Sequence, residues 1–360
     1  MELTELTKKL IGYKTTADQP EELKRCIDFV ERYFEGCNVF VKRYEKNQKH
    51  SIVVTLKKTK RPELFLIAHA DVVPADDADF SPKVKGRRLY GRGALDDKSS
   101  VAIIMGMIKQ YSKQQKKPDI GVMITTDEEI GSKNGVEYLV NKVGYRCKFC
   151  IVLDGGHKYE IVTKEKGALG VKLSVQGKEA HGSMPWKGEN SIEKLLEEYI
   201  RLKKRFPKTT KTDRWKPTIN LGMIKGGRVL NQVPGFAEMW LDIRYTDDKF
   251  KKMILGYMKK IRGVKCEILG DALILTTNEN NEYVVALEAT MKSSLGAAKI
   301  SREHGATDAR FFGAKGIPAV LILPSGSNVH ASNEYVEIAS QEEVYWMLKD
   351  FIDNNARVIK

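Results

Sequence analysis

Possible metal ligands follow three short apolar runs in this sequence. The runs 64–68, 121–126 and 150–153 are each followed by acidic residues, in the first case together with a histidine: His69, Asp71, Glu128, Glu129 and Asp154. Carboxylates crowded in one place repel each other unless a cation neutralises them. Asp96, which precedes a predicted helix, could add a further carboxylate. The residue types therefore predict a metal site.

The spacing of these residues permits a division of roles. His69 and Asp71 are two residues apart, so on an extended strand both side chains would point to the same face. One of them could then bind a metal while the other orients it. Glu128 and Glu129 are adjacent and would point in opposite directions on an extended chain, so that one could bind metal and the other act as a base. Spacing alone leaves these assignments open.

The elements that must position these residues alternate between strand and helix. Continuous apolar runs such as 64–68 are typical of strands that are covered on both faces, and apolar periodicity predicts helices over 21–34 and 99–111. In open α/β sheets, ligands bind beyond the carboxyl ends of the strands. We therefore predict an α/β fold with a mixed, mostly parallel sheet flanked by helices.

The pattern changes between residues 164 and 274. Alternating strands and two amphipathic helices occur there in the order β-α-β-β-α-β, which is the ferredoxin-like α+β unit. Strict alternation at Ile219, Leu221 and Met223 predicts one of these strands, and one helix is predicted from Phe250 to Ile261. We predict an inserted domain over 164–274 within a domain formed by 1–163 and 275–360.

Composition excludes several classes of protein. The chain has 360 residues, 42% hydrophobic and 30% charged, which suits a soluble protein of two domains. No apolar run approaches the ~20 residues of a membrane span, and we expect neither membrane association nor a signal peptide. The net charge of +14 comes from scattered basic residues without interleaved aromatic ones. A solvated surface or attraction of an anionic small substrate is favoured over nucleic-acid binding.

The five cysteines form an odd and sparse set, which is typical of a reducing compartment and predicts a cytoplasmic protein. Cys147 and Cys150 form a C-x-x-C that runs into an apolar strand, whereas a redox motif should open a helix. We therefore interpret both as residues of the strand region. No second pair is present to complete a zinc ribbon.

Six segments of the chain, in order, resemble the motifs of one enzyme family: Ala68–Asp71, Tyr90–Lys98, Thr126–Ser132, Leu153–Gly156, Ala180–Pro185 and His330–Glu334. The family is that of the two-zinc amidohydrolases, which includes aminoacylase, acetylornithine deacetylase, succinyl-diaminopimelate desuccinylase, bacterial glutamate carboxypeptidase and several dipeptidases. The resemblance covers almost the whole chain. It implies a catalytic domain interrupted by a lid and dimerisation domain at 164–274.

The resemblance also implies a site for two Zn²⁺ ions, with Co²⁺ or Mn²⁺ as substitutes. Its expected ligands are His69 and Asp154 for one ion, Glu129 and His330 for the other, and Asp96 as the bridge. Asp71 is implied as the acid behind His69, and Glu128 as the general base.

Residues of the lid are implied to bind the substrate. His181 matches a histidine that reaches an active site across a dimer interface, so a homodimer is expected. Asn231 and Arg244 match positions that hold the substrate carboxylate, for which a guanidinium fork is suited. Arg244 could instead pair with Asp242 or Glu238 on the same face of its strand. Further substrate contacts are implied for residues of two segments that resemble loops lining the substrate pocket: Gly305, Thr307 and Gly326.

The expected function is zinc-dependent hydrolysis of the amide bond of a dipeptide or other small peptide with a free carboxylate. Asp154 and the segment Asp96-Asp97-Lys98 resemble the dipeptidase branch. A deacylase or desuccinylase of an N-acyl amino acid remains the alternative within the family. A non-catalytic binding protein that retains the fold is the alternative from another class.

Overall fold

A computed structural model describes residues 3–157 and 159–355. The chain forms two compact units. Unit 1 comprises residues 1–164, 275–303 and 307–360, and unit 2 comprises 165–274 and 304–306.

The described residues form strands and helices throughout the chain. The strands are β1 (Phe40–Lys46), β2 (Lys49–Thr55), β3 (Leu64–His69), β4 (Lys83–Lys85), β5 (Arg88–Tyr90), β6 (Ile120–Thr125), β7 (Phe149–Val152), β8 (Glu160–Glu165), β9 (Gly167–Gln176), β10 (Ala180–His181), β11 (Thr218–Gly226), β12 (Gln232–Val233), β13 (Phe236–Tyr245), β14 (Val264–Ala272), β15 (Leu275–Thr276), β16 (Lys299–Glu303), β17 (Ala319–Leu321), β18 (Gly326–Ser327) and β19 (Tyr335–Glu337). The helices are α1 (Leu3–Ile11), α2 (Pro20–Tyr33), α3 (Lys98–Tyr111), α4 (Val136–Tyr138), α5 (Ser191–Lys203), α6 (Asp248–Met258), α7 (Glu282–Leu295), α8 (Ala309–Gly313) and α9 (Ile338–Asn354).

The main sheet of unit 1 has parallel strands at its centre. Its order is β1-β2-β6-β3-β7-β17-β8-β15, and β16 also pairs with β8. The neighbours β6, β3, β7 and β17 run parallel, whereas β1 with β2, β2 with β6, and β17 with β8 run antiparallel. The predicted mixed α/β sheet is confirmed, and its parallel part comprises the strands that precede the acidic residues.

Both faces of this sheet are buried, which explains the continuous apolar runs. Along β3, Leu64 and Leu66 belong to one core cluster, and Phe65 and Ile67 belong to another. The first cluster contains residues of α1, α2, α3, α7 and α9, and the second contains residues of α4 and α8. A strand between two layers of helices needs apolar side chains at every position.

A small second sheet in unit 1 joins distant parts of the chain. Its order is β18-β19-β5-β4, with Tyr335 opposite Tyr90 in the pairing of β19 with β5. Gly91 N donates a hydrogen bond to the carbonyl of Glu334 over 3.1 Å. This sheet therefore holds the loop before α3 beside the loop that contains His330.

Unit 2 is a four-stranded antiparallel sheet with two helices. The strand order β11-β13-β9-β14, together with α5 between β9 and β11 and α6 between β13 and β14, is the predicted ferredoxin-like arrangement. Buried residues alternate along β9 from Gly167 to Val175, so one face of the strand packs on the core. Asn190 caps α5 through Oδ1, which accepts hydrogen bonds from Ile192 N and Glu193 N.

Two details of unit 2 differ from the pattern-based expectation. The register of β11 shifts between Leu221 and Met223, and Met223 is 50% exposed. A bulge of this kind changes which face later side chains occupy, so the predicted alternation stops there. The helix expected to reach Ile261 ends at Met258 as α6.

Cys150 lies in β7, and Cys147 precedes that strand by two residues. All five cysteines are free. No helix within 3–157 or 159–355 is long and apolar enough to cross a membrane.

Candidate active site

Acidic residues and a histidine meet at one edge of the parallel strands of unit 1. His69 is the last residue of β3, Glu128 and Glu129 begin a 3₁₀ turn after β6, and Asp154 follows β7 by two residues. Because β6, β3 and β7 are parallel neighbours, their carboxyl ends meet at the same edge. The topology therefore gathers side chains that are far apart in sequence.

Two sets of possible ligands share one aspartate. Asp96 Oδ1 lies 2.9 Å from His69 Nε2, which is also 4.0 Å from Asp154 Oδ2. Asp96 Oδ2 lies 3.1 Å from His330 Nε2, which is also 3.1 Å from Glu129 Oε1. Within each set, His69–Asp96–Asp154 and Asp96–Glu129–His330, the ligand atoms all lie within 4.8 Å of one another. Asp96 thus presents one oxygen to each set.

Asp71 contacts one residue of each set. His69 Nδ1 lies 3.0 Å from the Asp71 carbonyl oxygen and 3.5 Å from its Oδ1, so the Nδ1–H faces Asp71 and Nε2 points into the site. Asp71 Oδ2 accepts a hydrogen bond from Glu129 N over 3.0 Å. The predicted pairing of His69 with an acid two residues later is present in the structure.

A buried glutamate holds the loop that carries Asp96. Glu334 is 2% exposed. It accepts hydrogen bonds from Gly93 N, Leu95 N and Asp96 N, at 3.1, 2.9 and 3.0 Å, and from Arg92 Nη1 at 2.7 Å. Sequence reasoning assigned no role to Glu334 or Arg92. Both residues lie in segments that resemble family motifs, and this was the sign in the sequence that they could have a role. Their contact with each other is visible only in the fold.

A second supporting carboxylate is Asp97, whose Oδ2 accepts a hydrogen bond from His69 N over 3.1 Å. The peptide bond between Asp96 and Asp97 is cis. Asp97 precedes α3 directly, and its side chain supports the end of β3 rather than capping the helix.

The electrostatics of the site favour a bound cation. Burial raises the pKa of Asp154 well above its usual range, and the neighbouring Asp96 charge raises it further. Burial likewise raises the pKa of Glu128. Burial also acts to raise the pKa of Asp96, but hydrogen bonds from His330 and His69 outweigh it and lower that pKa. Hydrogen bonds to Asp96 and Glu129 raise the pKa of His330 to about 10.

The donor set fits a pair of divalent ions. Two imidazoles and three carboxylates converge on two adjacent points, and such nitrogen and oxygen donors suit Zn²⁺. Without a cation, the histidines must act as the counterions of these buried carboxylates. The residues present therefore match the ligands expected for a two-metal site.

Glu128 and Glu129 differ in detail from the expectation of an extended chain. Both lie in the 3₁₀ turn Glu128–Ile130. Their carboxylates still diverge, because Glu129 Oε1 contacts His330 while Glu128 Oε1 lies 3.9 Å from Nη1 of Arg310. Glu128 is thereby left beside the two ligand sets without belonging to either.

In unit 2, the structure brings His181 and Asn231 together. β10 pairs with β12, and Gly182 N donates to the Asn231 carbonyl over 2.7 Å. The His181 ring is exposed, and its Nδ1 lies 2.7 Å from Ser183 Oγ.

Arg244 lies at the other end of unit 2, near the start of β11. Its Nε and Nη2 donate to Asp242 Oδ1 and Oδ2 over 2.9 and 3.2 Å. The structure therefore contains the ion pair that was the alternative to a substrate contact. Gly305 belongs to the short segment 304–306 of unit 2.

The two remaining candidate substrate residues lie in unit 1. Thr307 precedes α8, and its Oγ1 accepts a hydrogen bond from Ala309 N over 3.3 Å. Gly326 begins β18, where an added Cβ would come within 2.2 Å of the Tyr335 carbonyl oxygen, so this position needs glycine.

Comparison with known sequences identifies a family and several relatives of this chain. Residues 65–354 match Peptidase family M20/M25/M40. A succinyl-diaminopimelate desuccinylase from Parvibaculum lavamentivorans is 29% identical over 315 residues, covering 79% of this chain and 78% of the relative. An uncharacterized metallohydrolase from Methanocaldococcus jannaschii is 26% identical over 364 residues, covering 88% and 87%.

Solved structures have the same fold. A tripeptidase from Staphylococcus aureus superposes with a TM-score of 0.84 at 21% identity, covering 99% of this chain and 98% of that one. An M20 family metallo-carboxypeptidase from Sulfolobus solfataricus gives 0.81 at 19% identity, covering 99% of both chains. With the family match spanning most of the sequence, the protein is a hydrolase that belongs to Peptidase family M20/M25/M40.

Proposed function

We propose that this protein hydrolyses the amide bond of a dipeptide or another small peptide with a free carboxylate, using two zinc ions. The observation that carries the proposal is the pair of ligand sets sharing Asp96, with Glu128 beside them. His69 and Asp154 complete one set, and Glu129 and His330 complete the other. Cobalt or manganese could replace zinc on this donor set.

Each residue of the site has a task in this proposal. When bound, a pair of metal ions polarises the scissile carbonyl and lowers the pKa of the attacking water. Glu128 accepts the proton of that water and passes it to the departing amine, as a general base and then a general acid. Its carboxyl group is buried beside the two ligand sets and belongs to neither of them, so it is free to carry the proton between the two steps. Asp71 keeps His69 oriented.

Substrate binding is assigned to unit 2, acting as a lid. Arg244 binds the free carboxylate of the substrate. Asn231 and His181 lie together at the opposite end of unit 2, so they act on the substrate of a second copy of the chain, where Asn231 binds the carboxylate and His181 donates to the oxyanion that forms at the scissile carbonyl. Arg244 is already arranged as a fork on the Asp242 carboxylate. A substrate carboxylate would replace Asp242 as the partner of that fork. Gly305, Thr307 and Gly326 are proposed as further contacts of the substrate.

We further propose a homodimer formed through unit 2. β11 is an edge strand of its sheet, and its Met223 and Ile224 are 50% and 42% exposed. On α5, Leu196 and Ile200 are 38% and 52% exposed. Edge strands with exposed apolar residues tend to be covered by another chain. A monomer in sedimentation equilibrium at micromolar concentration would contradict this part of the proposal.

Hydrolysis of an N-acyl amino acid is the second candidate. The observation in its favour is the set of curated relatives named succinyl-diaminopimelate desuccinylase, at up to 29% identity. Both candidates use the same site and differ only in whether the pocket accepts a free α-amine or an acyl group.

A substrate panel distinguishes the two candidates. Purified protein loaded with zinc or cobalt is mixed with dipeptides, tripeptides, N-acetyl amino acids and N-succinyl amino acids, and amine release is followed. Turnover of peptides alone supports the first candidate, and turnover of acyl amino acids alone supports the second. The Glu128→Gln variant loaded with the same metal is the control. Two bound metals without turnover of any substrate would contradict both.

A further inference from the structure

The turn that carries Glu128 is held by a buried arginine. We call residues 127–132 the base turn. Arg310, in α8, is 5% exposed. Its Nη2 donates to the Gly131 carbonyl over 3.3 Å and lies 3.4 Å from Ser132 Oγ. Its Nη1 lies 3.9 Å from Glu128 Oε1. One guanidinium therefore contacts both the backbone of the turn and the carboxylate that the turn presents.

The base turn has an uncommon backbone conformation. Gly131 and Ser132 have φ angles of 98° and 62°, and a positive φ is uncommon for a residue with a side chain. Two backbone hydrogen bonds close the turn, from Gly131 N to the Glu128 carbonyl over 2.8 Å and from Ser132 N to the Asp127 carbonyl over 2.7 Å. Arg310 adds bonds to the two residues with positive φ.

The charge of Arg310 acts directly on Glu128. The Nη1 atom of Arg310 is 3.9 Å from Glu128 Oε1, and both side chains are largely buried. Opposite charges at this distance attract each other, and away from water the attraction is stronger.

The helix that carries Arg310 is anchored in the core of unit 1. The neighbours of Arg310 in α8, Ala309 and Phe312, are fully buried in the second core cluster of unit 1. A planar guanidinium on a fixed helix can satisfy two acceptors at defined angles, which an ammonium group cannot do.

We propose that Arg310 is a positioning residue, which holds the base turn so that the Glu128 carboxylate faces the attacking water. This inference rests on the proposed function of Glu128 as general base. Arg310 acts through Glu128, because its own side chain is buried and donates to the turn.

The test compares Arg310→Lys and Arg310→Met with a matched control, Arg146→Lys. Arg146 also lies in unit 1 and donates to two carbonyls of a turn, those of Val140 and Tyr145, both at 2.6 Å. For each metal-loaded protein we would measure kcat, KM, metal content and amide hydrogen exchange in peptides that cover the base turn.

We expect kcat to fall about 10-fold in Arg310→Lys and about 100-fold in Arg310→Met, since small displacements of a catalytic group cost up to that factor. KM and metal content should stay within twofold of the wild-type values, and the amides of Gly131 and Ser132 should exchange faster. Arg146→Lys should match the wild type in kcat and in exchange of the base turn. If Arg310→Met does not fold, Arg310→Lys supplies the same readouts.

Three results would overturn the role of Arg310. They are unchanged exchange in the base turn, faster exchange with unchanged kcat, and a loss of kcat that merely follows a loss of metal. In each case an active wild-type protein leaves the proposed function standing. A wild-type protein that turns over no substrate of the panel would overturn the proposed function instead, whatever the exchange data for Arg310.

Discussion

Asp96 directs one carboxylate oxygen toward His69 and the other toward His330. The two ligand sets are therefore joined by a single side chain, whereas Asp154 contributes to one set only. At the scale of the residue, this asymmetry makes the consequences of substitution different for the two aspartates.

Asp96→Asn should lower the affinity for both metal ions, because the amide is a neutral and weaker ligand at the shared position. Asp154→Asn should weaken one site and leave the other. We would measure metal content by mass spectrometry after dialysis against buffer with trace zinc. It should approach zero ions per chain in Asp96→Asn and one ion per chain in Asp154→Asn. Asp213→Asn, at an exposed ion pair of unit 2, should retain two. Equal losses in the two site variants would contradict a bridging role for Asp96.

Glu128→Gln should separate metal binding from hydrolysis. The glutamine is close in shape but cannot accept the proton of the attacking water, so kcat should fall by about 10²–10⁴-fold. Metal content should remain that of the wild type, because Glu128 belongs to neither ligand set. Glu129→Gln, one residue along, should lose metal as well as activity. A Glu128→Gln enzyme with most of its turnover would exclude Glu128 as the base.

Residue types and spacing were enough to predict that His69, Asp71, Asp96, Glu128, Glu129 and Asp154 would meet. The contact of Glu334 with the loop before α3 was not predictable in the same way, because it joins residues 238 positions apart through the small sheet. The pairing of Arg244 with Asp242 is local, since the two residues share one face of β13, and it was therefore anticipated as an alternative.

At the scale of the element, local sequence rules account for most of the units that carry the site. The buried strands β3, β6 and β7 were predicted from continuous apolar runs, and the strands of the segment 164–274 were predicted from alternation. The base turn was expected to be extended, but it is a 3₁₀ turn. Arg310, almost 180 residues away, contacts this turn, and a contact of such long range cannot be predicted from local sequence.

Helix α5 offers a test of local stability in unit 2. Asn190→Ala should reduce the protection of the first turn of α5 by about 1 kcal/mol, because Ile192 N and Glu193 N lose their acceptor. Hydrogen exchange of peptides covering residues 190–203 measures this change. Asn190→Asp keeps an acceptor oxygen and should preserve protection. Equal protection in the wild type and the alanine variant would mean that the cap does not limit the opening of this turn.

At the scale of the whole molecule, the buried carboxylates of the site destabilise the fold unless bound cations neutralise their charge. Asp154 and Glu128 are acids whose pKa values are raised by burial, and Asp154 also faces the charge of Asp96. Buried carboxylates close together cost free energy in the folded state. Cations that bind only the folded protein compensate that cost and add stability of about 2.7 kcal/mol at a concentration 100 times the dissociation constant.

Metal removal should therefore lower the melting temperature of the wild-type protein by several degrees, and Asp154→Asn should reverse part of this effect. In the metal-free state, the asparagine removes a buried acid that is costly to ionise beside Asp96, so the variant should melt at or above the temperature of the metal-free wild type. In the metal-loaded state, the same substitution removes a ligand, so the variant should melt below the wild type. Differential scanning calorimetry of both proteins, with saturating zinc and after chelation, measures the four temperatures. The informative result is a variant that melts below the wild type with zinc but not without it. Simple loss of a structural contact would instead lower the melting temperature of the variant in both states. A variant that melts lower than the wild type with and without zinc would show that Asp154 stabilises the fold through contacts other than metal binding.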